Sequence, residues 1–225
     1  MANTPIVQRL SGSQAIEINQ VLRNTYLLLS LTLLASAGSA WFAMVNNVPP
    51  VGIFTLIIGI FGLQFLTMAL KNSPFGLLAI FAFTSFMGYT LGPILNFYIH
   101  SFNNGGQIVM TSLGATGMIF LGLSFYAIVS RKNYSYMGGF LTAAVFAAFA
   151  LILLNFWLQL PMMMLAISSI ICLISSAFIL YMTSAIIHGG ERNYIMAAIT
   201  LYVSIFNLFV SLLNILSFFS GGSRN

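Results

Sequence analysis

Seven apolar stretches, each close to the roughly 20 residues that carry a helix across a bilayer, follow one another along the chain with only short polar breaks between them. The stretches run from Tyr26 to Val45, Val51 to Leu70, Phe75 to Tyr98, Ile108 to Ser130, Met137 to Phe156, Met162 to Ile187 and Tyr194 to Phe219. Their breaks carry turn chemistry: Asn46-Asn47 with Pro49-Pro50, Asn72-Ser73-Pro74, Asn103-Asn104-Gly105-Gly106, Asn133 after Arg131-Lys132, and Pro161. Only 4% of the residues are charged and 60% are hydrophobic, against about a quarter charged in soluble domains. The period-two alternation of a membrane barrel is missing and the runs are twice a barrel strand in length. An all-α polytopic membrane protein of seven transmembrane helices is therefore expected. It divides into a polar N-terminal tail, residues 1–22, and a seven-helix domain, residues 23–225.

Orientation follows from the basic residues. Arg9, Arg23, Lys71, Arg131, Lys132 and Arg192 fall on the side of the N-terminus, and only Arg224 falls on the other. Lys and Arg accumulate in cytoplasmic loops, so the N-terminus is expected in the cytoplasm and the C-terminus in the periplasm. The tail lacks the charged start and apolar core of a signal peptide, although Ala35-Ser36-Ala37 faintly resembles a cleavage site, and the first span is expected to be retained. Within the tail, Ser11 and Gln14 have the spacing to cap a short interfacial helix. The net charge of +5 comes from scattered residues without aromatic interleaving, which leaves nucleic-acid binding without support.

Two polar features interrupt the apolar pattern. The first is the turn His188, Gly189, Gly190, Glu191, Arg192 between the last two spans, where both glycines can take positive φ and the ionisable groups sit at headgroup level. The second is a row on the last span: Thr200, Ser204, Asn207, Ser211 and Asn214, spaced +4, +3, +4, +3, stack on one helix face. Such a row must face protein or water rather than lipid, either as a pore wall or as interhelical contacts of roughly 0.6 kcal/mol each. Gly88 and Gly92 in the third span, and Gly114, Gly117 and Gly122 in the fourth, are small residues that let helices approach closely. Gly92-Pro93 marks either a packed bend or a kink beside a polar cavity. Ser168, Cys172 and Ser175 share a face, and the single cysteine reads as a packing residue.

Several chemistries are missing. There is no Asp, and Glu17 and Glu191 both lie outside the spans, so no carboxylate is available in the membrane for a proton relay or cation site. Neither the metalloprotease pattern HExxH nor Gly-x-Ser-Gly occurs, and His100 and His188 fall at helix ends. No catalytic residue, metal site or cofactor is expected.

Leu22-Arg23-Asn24-Thr25-Tyr26 at the first span, Gly88-Tyr89-Thr90-Leu91-Gly92-Pro93-Ile94-Leu95 in the third, and the stretch from Tyr181 to Asn207 resemble the Bax inhibitor-1 family of seven-helix membrane proteins. The most specific part is Ile186-Ile187-His188-Gly189-Gly190-Glu191. In some members two acids on the sixth and seventh helices share a proton and gate a calcium or cation leak; the resemblance puts those acids at Met182 and Ser204. A thioether and a hydroxyl do not titrate in that range, so the acid switch cannot operate here. A bacterial inner-membrane branch of the family instead binds the FtsH membrane protease, presents a cytoplasmic tail to it and restrains its action on other membrane proteins. The resemblance thus implies a non-enzymatic modulator, and potential substrate, of the FtsH complex. The other readings are a pH-insensitive calcium or cation leak, and a small-solute transporter or structural membrane protein.

Overall fold

A computed structural model describes the backbone of residues 4–221 and the side chains of residues 16–220. Seven helices follow in order: α1 Thr4–Val45, α2 Ile53–Leu70, α3 Phe75–Ser101, α4 Gly105–Ser130, α5 Met137–Leu158, α6 Pro161–Ile187 and α7 Tyr194–Gly221. All seven contain segments long and apolar enough to cross a membrane. Six expected spans match within a few residues. The first differs: the polar tail does not end in a break, because α1 continues without interruption from Thr4 through the first span. Pro5 stands in the first turn, where a helix tolerates it, and Gly12, the one glycine before Gly38, costs a helix about 1 kcal/mol, too little to stop one once it has started. The side chains of Ser11 and Gln14, and Arg224, lie outside the described residues.

α7 is the central element. Its membrane segment is 61% buried, against 6% for α2 and 11% for α5. It packs on α1, α3, α4 and α6, while α2 rests mainly on α3 and α5 mainly on α6. Tyr202 anchors this arrangement. Its ring is buried edge-on to Phe83, and its hydroxyl reaches both the Ser36 hydroxyl at 2.7 Å and the Thr84 carbonyl at 3.2 Å, joining α7 to α1 and α3. A phenol in the middle of a bundle needs such partners, since the surrounding hydrocarbon offers none.

The pair α1 and α3 makes the most extensive helix contact. It depends on the two glycines of the third span. A Cβ at Gly88 would collide with the Ser36 carbonyl, and one at Gly92 with Ala43 and Met44. Pro93 lies inside the continuous α3 beside this contact, so the Gly92-Pro93 position is a packed one. The expectation for α4 is not met. Nothing lies within 4 Å of where a Cβ would stand at Gly114, Gly117 or Gly122, and α4 instead buries Ile108, Ser112, Thr116, Ser124 and Ala127. Small hydroxyl residues do there what the glycines were expected to do. Cys172 packs against the main apolar cluster, with Ser168 and Ser175 buried on the same helix.

The contrast between the two glycine sets is testable by one added methyl. Gly88→Ala should cost about 1–3 kcal/mol through overpacking, seen as a lower thermal midpoint in detergent. Gly114→Ala, with open space around it, should stay within about 0.5 kcal/mol of the parent.

Candidate functional site

The α6–α7 turn is where the four chain segments of one face of the bundle meet. α6 ends in a Schellman motif: the Gly190 N–H donates to the Ala185 carbonyl at 2.8 Å and the Gly189 N–H to Ile186 at 3.0 Å. This places Gly189 at φ 71, a left-handed conformation that glycine adopts without steric cost. Gly190 has no positive φ, so only one of the two glycines is used in the expected way. Asn193 then caps α7, its Oδ1 accepting from the N–H groups of Ile195 and Met196 at 3.0 and 3.1 Å. Glu191 holds the Asn193 N–H at 2.8 Å.

From this turn, polar side chains reach every neighbouring connection. The Asn193 amide donates to the Lys71 carbonyl and to Asn72 Oδ1, both at 3.0 Å, which ties down the α2–α3 turn. His188 Nε2 lies 3.0 Å from the Arg131 carbonyl, and its Nδ1 lies 2.9 Å from the Ser184 carbonyl. The Ser184 hydroxyl donates to the Lys132 carbonyl at 2.9 Å and accepts from the Tyr134 N–H at 3.0 Å. Those three contacts fix the α4–α5 turn. Arg192 pairs with Glu17 of α1 at 3.8 Å; both are more than half exposed, so the pair orients the helix rather than adding much stability. A shallow recess between Glu17, Ile18, Val21, His188 and Arg192 marks where α1 meets the turn.

The polar row on α7 does not behave as one unit. Thr200 and Ser204 donate to their own helix, to the Met196 and Thr200 carbonyls at 2.9 and 2.8 Å. Ser211 is buried, and Asn214 accepts the Tyr98 hydroxyl of α3. Only Asn214 among the five therefore makes the expected interhelical hydrogen bond. Asn207 is exposed at the midpoint of the span. Thr200, Ser204 and Asn207 line a cavity of about 540 Å3 whose other walls come from α2, α5 and α6.

The two positions at which the resemblance puts acids are separated in role. Met182 is 7% exposed and packs in the main apolar cluster with Ile179, Ile186 and Leu201. Ser204 faces the cavity, which Met182 does not line. Among the described residues no group of three or more His, Cys, Asp or Glu is placed to hold a metal ion. Tyr202, Ser184 and Asn193 are the residues whose importance the sequence analysis missed. Asn193 alone carried a signal, as an Asn directly before an apolar run.

Comparison with known proteins agrees with this architecture. The family described as "Inhibitor of apoptosis-promoting Bax1" matches residues 18–221, which spans the whole bundle. An uncharacterized protein of Pseudomonas aeruginosa is 50% identical over 91% of this chain and 92% of its own length. A protein of Escherichia coli K12 named "Modulator of FtsH protease YccA" is 47% identical over 91% of this chain and 93% of its own. An uncharacterized membrane protein of Vibrio cholerae is 44% identical over 95% of this chain and 96% of its own. The same 47% identity holds for the protein that carries the name "Inner membrane protein YccA" in a second Escherichia coli strain. Together with the seven apolar helices, this places the chain in the inner membrane as a multi-pass protein. Matched from the foot of its first span to the end of its last, the chain belongs to the Bax inhibitor-1 family.

Proposed function

We infer that this chain is a non-enzymatic modulator of a membrane protease of the FtsH kind, acting through the face that gathers α1 and the α6–α7 turn. The relative named as an FtsH modulator supports the reading at 47% identity over nearly the full chain. The observation that carries it is the length of α1. Its 42 residues make a helix of about 63 Å at 1.5 Å per residue, roughly twice the ~30 Å hydrocarbon core. The excess leaves the bundle on the face of the turn, pinned at its base by Glu17 and Arg192. Six of the seven basic residues belong to that face by sequence, which supports a cytoplasmic position for it.

A rigid platform with a protruding helix suits a protein that must be gripped. The turn supplies the rigidity, because the α2–α3 and α4–α5 connections hang on hydrogen bonds from Ser184, His188 and Asn193. The helix supplies the handle, through which the chain is also a substrate of the protease. A cation leak has weaker support. The α7 row is divided between cavity, core and an α3 contact, and no charged side chain lines the cavity.

Removing residues 2–15, which lie before the Glu17 contact, should leave the thermal midpoint in detergent unchanged. In cells with the protease, the same truncation should lengthen the half-life of the chain severalfold and abolish its protection of other membrane substrates. An unchanged half-life and intact protection would sink the modulator reading.

Met182→Asp tests the fixed, uncharged core. A carboxyl among Ile179, Ile186 and Leu201 should lower the thermal midpoint, at a cost of several kcal/mol when charged. A midpoint that is unchanged or higher would contradict this account.

A further inference from the structure

The cavity beside α7 has no role in the modulator reading, and its chemistry is specific enough to name a ligand class. It runs from Met196, in the first turn of α7, to Asn207 at the middle, about 16 Å along the helix. α2 and α5 form its sides through Met68, Gln64, Val145 and Ile152. Each of these two helices rests broadly on one neighbour only, so the mouth between them opens sideways toward lipid.

The polar groups on its wall are uncharged and of two kinds. The Thr200 and Ser204 hydroxyls spend their protons on helix carbonyls and keep lone pairs for an acceptor role. Gln64 and Asn207 line the same cavity and make no hydrogen bond to any described residue. Each amide brings two N–H donors and a carbonyl into a hydrocarbon setting, where an unpaired polar group costs several kcal/mol. A ligand that both donates and accepts satisfies this wall. A charged head does not, because no counter-charge lines the cavity and its desolvation is uncompensated.

The cavity's volume of about 540 Å3 falls within the roughly 300–1,000 Å3 of pockets that enclose a small molecule along mainly apolar walls. We propose that the cavity between α2 and α5 binds a neutral single-chain amphiphile with a hydroxyl-bearing head, of the monoacylglycerol class. Its hydrocarbon lies against Ile152 and Phe178, and its hydroxyl groups pair with Gln64 and Asn207.

The test uses the full chain in proteoliposomes with a monoacylglycerol that carries a photoactivatable diazirine in its acyl chain. Labelling should concentrate on the cavity segments of α5, α6 and α7 and saturate. It should be competed by unlabelled monooleoylglycerol and not by oleate or phosphatidylglycerol. Gln64→Leu with Asn207→Leu should weaken it about tenfold, the effect of losing one or two hydrogen bonds. Val145→Trp, which narrows the mouth without touching the polar wall, should reduce labelling independently, and unchanged thermal midpoints show that both variants fold. Labelling spread evenly over lipid-facing helices, equal competition by charged lipids, or full labelling of the double variant would each overturn the proposal. A photoreactive residue at position 145 that captures a protein rather than lipid in cells would also overturn it, in favour of a partner's membrane helix.

Discussion

Inside a bilayer every polar group must find its partner within the protein, and this single constraint organises most of what the structure contains. Burial from water does not drive one helix against another there, since lipid tails are as apolar as leucine. Close packing and internal hydrogen bonds take over that task. Gly88 and Gly92 let α1 and α3 approach until backbone meets backbone, and Tyr202 then crosses from α7 to bond Ser36 and Thr84. Most hydroxyls in the spans turn back onto their own helix, as at Thr67, Ser112, Thr116, Thr200 and Ser204. The hydroxyls of Thr25, Ser124 and Ser130 are buried without a partner, and Gln64 and Asn207, which also depart from this pattern, line the same cavity.

The same constraint acts differently at the membrane surface. There a helix runs out of its own N–H donors for its last carbonyls, and side chains at the α6–α7 turn dock on main-chain oxygens of the neighbouring connections. Lys71, Arg131 and Lys132 each offer a main-chain oxygen to Asn193, His188 or Ser184. The turn thereby converts four chain segments into one platform. α2 and α5 lie outside this bracing, each leaning on a single neighbour, and their separation creates the cavity.

Much of this was legible in the sequence, and the limits have physical causes. Span length and turn residues locate the helices because both are local. Gly88 and Gly92 act as expected, yet Gly114, Gly117 and Gly122 do not, since spacing alone cannot say which face of a helix meets a neighbour. Hydropathy does not separate central from peripheral spans either: α2 and α7 are about equally apolar, but only α7 is enclosed. The polar row on α7 was the better guide to centrality. It was misleading as a unit, because Asn214 meets Tyr98 of a helix more than a hundred residues earlier, while Asn207 opens into the cavity. The continuity of α1 is not legible from hydropathy, because a polar helix outside the membrane leaves no apolar run to mark it.

The separation of Met182 from the cavity bears on how this branch of the family works. An acid at position 182 would carry a charge into the cluster of Ile179, Ile186 and Leu201, and the bundle would have to move whenever that charge appeared. Methionine fills the same space with a flexible, uncharged side chain, so no proton is there to drive such a movement. At position 204, a hydroxyl bonded to the Thr200 carbonyl likewise carries no titration. Neither of these two positions therefore offers a proton on which a movement could depend. On the modulator reading, regulation falls to whatever grips the platform and its helix from outside.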